Sequence, residues 1–88
     1  MQIDVTRKFQ KQVIECNDRR IKMKVSEVIE EVIAAENMIG FKNLKKLTGH
    51  KNYFRIRLGN YRIGLSIENN VVIFAAFNHR SEIYKYFP

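Results

Sequence analysis

Two alternating runs, Tyr53-Phe54-Arg55-Ile56-Arg57-Leu58 and Tyr61-Arg62-Ile63-Gly64-Leu65-Ser66-Ile67, meet at a Gly59-Asn60 dipeptide. That pattern points to a tight β-hairpin, because a two-residue Gly-Asn connection suits the twist of paired strands. With the loop at Gly59-Asn60 the register follows: Leu58 faces Tyr61, Ile56 faces Ile63 and Phe54 faces Leu65. Strand side chains alternate, so one side of the ribbon is apolar and the other carries Arg55, Arg57 and Arg62. Arg57 then stands opposite Arg62, and Arg55 faces Gly64. Like charges directly opposed destabilise a sheet, so the arrangement asks for an anion.

The distribution of charge supports this. The chain carries +7 overall, yet residues 1–41 are balanced, with seven basic and seven acidic side chains. Residues 42–88 hold nine Lys or Arg against only Glu68 and Glu82. A one-sided field of this kind favours a polyanion through phosphate contact and counterion release, with nucleic acid the first candidate and an acidic protein the second. As a bare charge run it reads first as a solvated face kept for solubility. Eighty-eight residues, 45% hydrophobic, make one domain over 1–88 with a modest core. No run approaches the roughly 18 to 20 apolar residues of a membrane span, and Met1-Gln2-Ile3-Asp4 does not open a signal peptide. These features place the protein in a cytoplasm, without a membrane partner. The single Cys16 forms no internal disulfide and reads as a small buried side chain.

Taken in order, Gln2 to Val5 is a short alternating strand, and Thr6 caps a helix beginning at Arg7 with Phe9, Val13 and Ile14 on its apolar side. Asn17-Asp18 caps a second helix, Arg19 to Glu36, whose Ile21, Val25, Val28, Ile29, Val32 and Ile33 recur at helical spacing. The two helices form an antiparallel hairpin with one stripe left to bury. Gly40 ends this half, and residues 41–52 form a basic connector with Leu44 and Leu47 turned inward. Asn69-Asn70 makes a second tight turn, since Asn tolerates positive φ. Val72, Phe74 and Ala76 then join the apolar face, while Ile73, Ala75 and Phe77 share the arginine face, Phe77 opposite Arg62. The expected architecture is α+β: an N-terminal strand, a helix hairpin on one face of a small antiparallel sheet of about four strands, and a short C-terminal helix capped by Ser81.

On the arginine face, Phe77 and Tyr53 suit base stacking beside bound phosphates, or alternatively packing beneath the C-terminal segment. His79, just past the strand end, brings an imidazole, the residue type most used for acid-base work. His50, in the basic connector, suits solvent or phosphate contact. Two distant histidines and one cysteine do not make a metal site, and no cofactor is expected.

The basic linker ending in Lys-Leu-Thr-Gly-His, the Arg-x-Arg-x-Gly-x-Tyr-Arg hairpin and the terminal His-Arg-Ser-Glu-Ile-Tyr together resemble the RelE/ParE toxins, the toxin halves of bacterial and archaeal toxin-antitoxin modules. The resemblance covers essentially the whole chain. For the RelE branch it implies a metal-independent, ribosome-dependent endoribonuclease that cuts mRNA in the ribosomal A site, with 16S rRNA contacts and a small cognate antitoxin as partners. The family's hairpin basic residues fall on Arg55, Arg57 and Arg62, and its C-terminal basic or His residue and Tyr on His79 or Arg80 and Tyr84. Arginines stand at 55 and 57 where well-known members carry lysines.

That departure matters chemically. RNA cleavage needs a base for the 2′-hydroxyl, stabilisation of the phosphorane and an acid for the 5′-oxygen, and a guanidinium with a pKa above about 12 cannot be the base. It can clamp the phosphate. The expected catalytic set is therefore Arg57 and Arg62 as stabilisers with His79 and Tyr84 for proton transfer, and the RNA contacts are Arg55, Arg80, Lys45, Lys46, Lys51 and Phe77. A ParE-like poison of DNA gyrase, or an inactive RNA-binding relative, is the alternative that shares this fold.

Overall fold

The computed structural model describes residues 1–88. The elements run β1 (Gln2–Val5), α1 (Arg7–Glu15), α2 (Arg19–Ala34), β2 (Leu44–Lys46), β3 (Tyr53–Leu58), β4 (Tyr61–Glu68), β5 (Val71–His79) and α3 (Ile83–Tyr86). The strands form one sheet in the order β1-β5-β4-β3-β2. Neighbours are antiparallel except β1, which lies parallel to β5. The fold is α+β as expected, but the sheet has five strands and is mixed. The fifth strand is β2, a three-residue piece of the basic connector too short to show alternation.

Both helix starts follow from their caps. Thr6 Oγ1 accepts from the Phe9 N–H at 3.1 Å, and Asp18 Oδ1 accepts from Arg20 and Ile21 at 3.0 and 3.2 Å. Each cap contributes about 1 kcal/mol. The buried stripe of α2 is Ile21, Val25, Val28 and Val32, with Phe9 as the anchor of α1, whereas Ile14 and Ile33 point outward at 73% and 53% exposure. These helices cover Ile56, Ile63, Leu65, Val72 and Phe74, the inner face of the sheet. Phe9 meets Phe74 at 5.5 Å and Phe77 at 6.4 Å.

The hairpin register is the one the Gly-Asn turn dictates, with Arg57 opposite Arg62 and Gly59 at φ 57°. The register of β5 is different. Gly64 pairs with Ala76, but the next residue, Leu65, pairs with Phe74, so Ala75 is an extra residue in β5. This bulge reverses the alternation beyond it, since a one-residue slip moves every later side chain to the other face. Phe77 consequently opposes Ile63, not Arg62, and lies in the main core at 1% exposure. Its expected place among the RNA contacts is corrected accordingly. Ala76 crosses the other way and joins Ile83 and Phe87 in a second small core on the outer face.

Phe77→Ala is expected to lower the unfolding free energy by about 3–5 kcal/mol in urea titration and to leave polyanion affinity of the folded protein unchanged. An unchanged midpoint with weakened RNA binding would return Phe77 to the surface role.

Candidate nucleic-acid interface

The outer face of the sheet is shaped by the docking of the C-terminal segment. Ile83 and Phe87, one helical turn apart, are buried against Ala76, with Leu47 and Ala75 packed alongside. Phe87 lies directly on Gly64, where a Cβ would come within 2.5 Å of its ring. The same spacing that buries positions 83 and 87 turns Tyr84 outward, at 60% exposure. Ser81 does not cap α3. Glu82 holds the N-cap position without a side-chain bond, and Ser81 instead bonds His79.

Beside this segment runs a groove of about 510 Å³ lined by Lys45, Lys46, Thr48, His50, Arg55, Arg62, Arg80 and Tyr84. Leu47 and Pro88 complete its lining, and none of its cations is in an ion pair, since the molecule's one ion pair joins Lys85 to Glu82 at 3.1 Å. Two guanidiniums are oriented by backbone carbonyls instead. Arg62 Nη1 donates to the oxygens of Gly59 and Tyr61 at 2.8 and 2.9 Å, and Arg55 Nη1 donates to Asn43 O at 2.9 Å. Burial first, and then the charges of Arg55 and Arg57, hold the Arg62 guanidinium below its ordinary pKa; Arg80 adds to this and Tyr84 partly opposes it. An anion bound in the groove offsets this burial and repulsion at Arg62.

The expected site residues are spread over five places, the core position of Phe77 among them. Arg55, Arg62, Arg80, Tyr84, Lys45 and Lys46 share the groove. Arg57, although paired with Arg62 across the hairpin, lines a recess at the sheet edge with Lys24, Glu27 and Glu31, and Lys51 sits on the exposed 46–51 loop. His79 is not on the arginine face. It lines a depression of about 820 Å³ on the helix side, beside Glu15, Asp18, Arg19 and Tyr61, because the Ala75 bulge carries positions 77 and 79 inward together. The expected position of His79 on the arginine face is therefore corrected: the imidazole that lines the groove with the arginines is His50.

His50 follows from its loop. Leu47 turns into the outer core, and the His50 N–H returns to Leu47 O at 3.3 Å. The exposed ring then lies 5.7 Å from Tyr53, which itself meets Phe87 edge-on at 5.3 Å. A row of three aromatic rings thereby ties the groove wall to the docked C-terminal segment. Sequence spacing could not bring position 50 to the arginines, since it lies outside any alternating run. No group of three or more His, Cys, Asp or Glu side chains is arranged to hold a metal ion, and no helix is long and apolar enough to cross a membrane.

Residues 3–84 match the family described as the ParE toxin of the type II toxin-antitoxin system parDE. The chain is 41% identical over 69 residues to Toxin RelE3 of Methanocaldococcus jannaschii, covering 77% of this chain and 78% of that protein. Its fold is similar to that in the crystal structure of a RelB-RelE antitoxin-toxin complex from Methanococcus jannaschii, with a TM-score of 0.83 at 33% identity over 97% of this chain and 99% of that one. The intact RelBE complex of E. coli matches at a TM-score of 0.68 and 17% identity over 89% and 94%, a likeness of fold alone. The chain belongs to the RelE/ParE family, the toxins of type II toxin-antitoxin systems.

Proposed function

We propose that this toxin is a ribosome-dependent endoribonuclease that cleaves mRNA in the ribosomal A site and thereby inhibits translation. The observation that carries the reading is the groove itself: Arg55, Arg62 and Arg80 converge beside an exposed phenol and an imidazole, and none of the three forms an ion pair. Arg62, aided by Arg55 and Arg80, clamps the scissile phosphate and stabilises the phosphorane. As the 2′-oxygen bonds to phosphorus a base takes its proton, and as the bond to the 5′-oxygen breaks an acid protonates it, leaving a 2′,3′-cyclic phosphate and a 5′-hydroxyl. We assign these two proton transfers to His50 and Tyr84 of the groove. Lys45, Lys46 and Lys51 follow the RNA backbone, with Arg57 at the margin. The cognate partner is a small antitoxin of acidic or amphipathic character, a reading supported by the RelB-bound relative at 33% identity.

On programmed ribosomes the wild-type protein is expected to cut within the A-site codon. Tyr84→Phe and His50→Ala are each expected to slow cutting by about 10²–10⁴-fold with melting temperature unchanged. Intact mRNA, with DNA cleavage appearing instead in a gyrase supercoiling assay, selects the ParE-like alternative that the family description also allows.

A further inference from the structure

His79 is held in a way that suits a clip, not a reacting group. Its Nδ1 lies 2.9 Å from Ser81 Oγ and 3.2 Å from the Ser81 backbone nitrogen, whose N–H donates to it. A backbone N–H can only donate, so Nδ1 offers a lone pair and the neutral ring carries its proton on Nε2. The bond reaches two residues ahead, as in an Asx turn, with an imidazole nitrogen in place of the amide oxygen. Tyr61 stands edge-on to the ring at 5.6 Å and is itself stacked on Phe77 at 5.2 Å, which gives the imidazole a fixed wall. The turn is pinned again by Arg80 N–H to Asn60 O at 2.7 Å and Glu82 N–H to His79 O at 2.8 Å. From this turn Arg80 and Tyr84 enter the groove.

We propose that His79 is a positioning residue: its neutral imidazole clips the 79–82 turn and so sets Arg80 and Tyr84 over the groove, without itself meeting RNA. The consequence for cleavage rests on the nuclease reading; the clip does not. Protonation places a hydrogen on Nδ1 against the Ser81 N–H, so that bond is lost while Nδ1–H keeps Ser81 Oγ as an acceptor. Glu15 of α1, Cys16 and Asp18 of the connection, Arg19 and Arg20 of α2 and Tyr61 of β4 line the same depression as the ring, but only Ser81 hydrogen-bonds it. The deprotonated ring is the competent form.

The test is an NMR titration of the full chain between about pH 5 and 8, paired with ribosome cleavage at the two ends. The Ser81 amide resonance is expected to move in step with the His79 ring in the wild type and to stay fixed in His79→Asn, whose Oδ1 takes the place of Nδ1. His79→Asn is expected to match wild-type cutting at about pH 8 and to exceed it about fivefold at about pH 5, with His79→Ala about fivefold low at both. Because both proteins keep His50, their ratio isolates the clip. A Ser81 amide indifferent to ring protonation, or His79→Asn cutting as poorly as His79→Ala, overturns the proposal. If Ser81 reports the clip and even the wild type cuts no mRNA, the nuclease reading falls and the clip stands.

Discussion

Arg62→Ala is expected to reduce A-site cleavage by about 10²–10³-fold while shifting the unfolding free energy by no more than about 0.5 kcal/mol. The two halves of this result have one cause. Arg62 is half-buried and faces Arg55, Arg57 and Arg80, so its charged form is less welcome in the fold than in the open chain. A cation whose folded pKa is lowered opposes folding at every pH below its own titration. For a guanidinium that covers the whole neutral range, so removing it relieves repulsion throughout. What is lost in exchange is two hydrogen bonds to the turn carbonyls of Gly59 and Tyr61. A phosphorane bound in the groove, by contrast, loses the donor aimed at it. Arg62→Lys should fall between, since an ammonium keeps the charge but not the planar fork. Single-turnover cutting and urea denaturation on the same preparations check both halves, and undiminished cutting by Arg62→Ala dismisses the phosphate clamp.

Phe87→Ala is expected to cost about 3 kcal/mol, and Gly64→Ala about 2 kcal/mol, but the double variant should cost little more than Phe87→Ala alone. A Cβ at Gly64 would sit 2.5 Å from Cγ and Cδ2 of a ring that is itself 4% exposed, so it must push Phe87 off the sheet. Without the ring, that Cβ occupies emptied space. The resulting coupling, about 1.5–2 kcal/mol by denaturation of the four proteins, is the signature of direct contact. Simple additivity would show that Phe87 is held elsewhere. For a domain of this size each kcal/mol lowers the melting temperature by about 4–8 °C, so Phe87→Ala is visible in any thermal scan. Both single variants should also lose cutting, since Ile83 and Phe87 anchor the segment that carries Tyr84.

The parts of this molecule legible in the sequence are those fixed by local geometry. Gly59-Asn60 pins the hairpin, so Arg57 against Arg62 could be placed from residue types alone, and Thr6 and Asp18 announce their helices by capping. The Ala75 bulge has no such signature: alanine on either face of a strand looks the same, and unbroken alternation puts Phe77 and His79 with the arginines. That single extra residue accounts for both misplacements. The β1–β5 pairing was unreadable because it joins distant segments without a turn between them. His50 reached the groove through Leu47 and Tyr53, contacts that no spacing rule encodes.

The parallel pairing of β1 with β5 sets the order in which this toxin can assemble. Gln2 lies beside Val71, and Thr6 Oγ1 bonds Ala75 O across 69 positions, a closure whose entropy must be met before any contact repays it. The arginine hairpin needs only its two-residue turn, so it can zip early. Its inner face, Ile56, Ile63 and Leu65, can meet α2, which precedes it in the chain, but gains its full cover only when β5 brings β1 and α1 to the sheet. The basic side is thus shaped before the apolar side is fully sheltered, and the interval between the two is when a nascent chain is most open to aggregation and to capture by a chaperone.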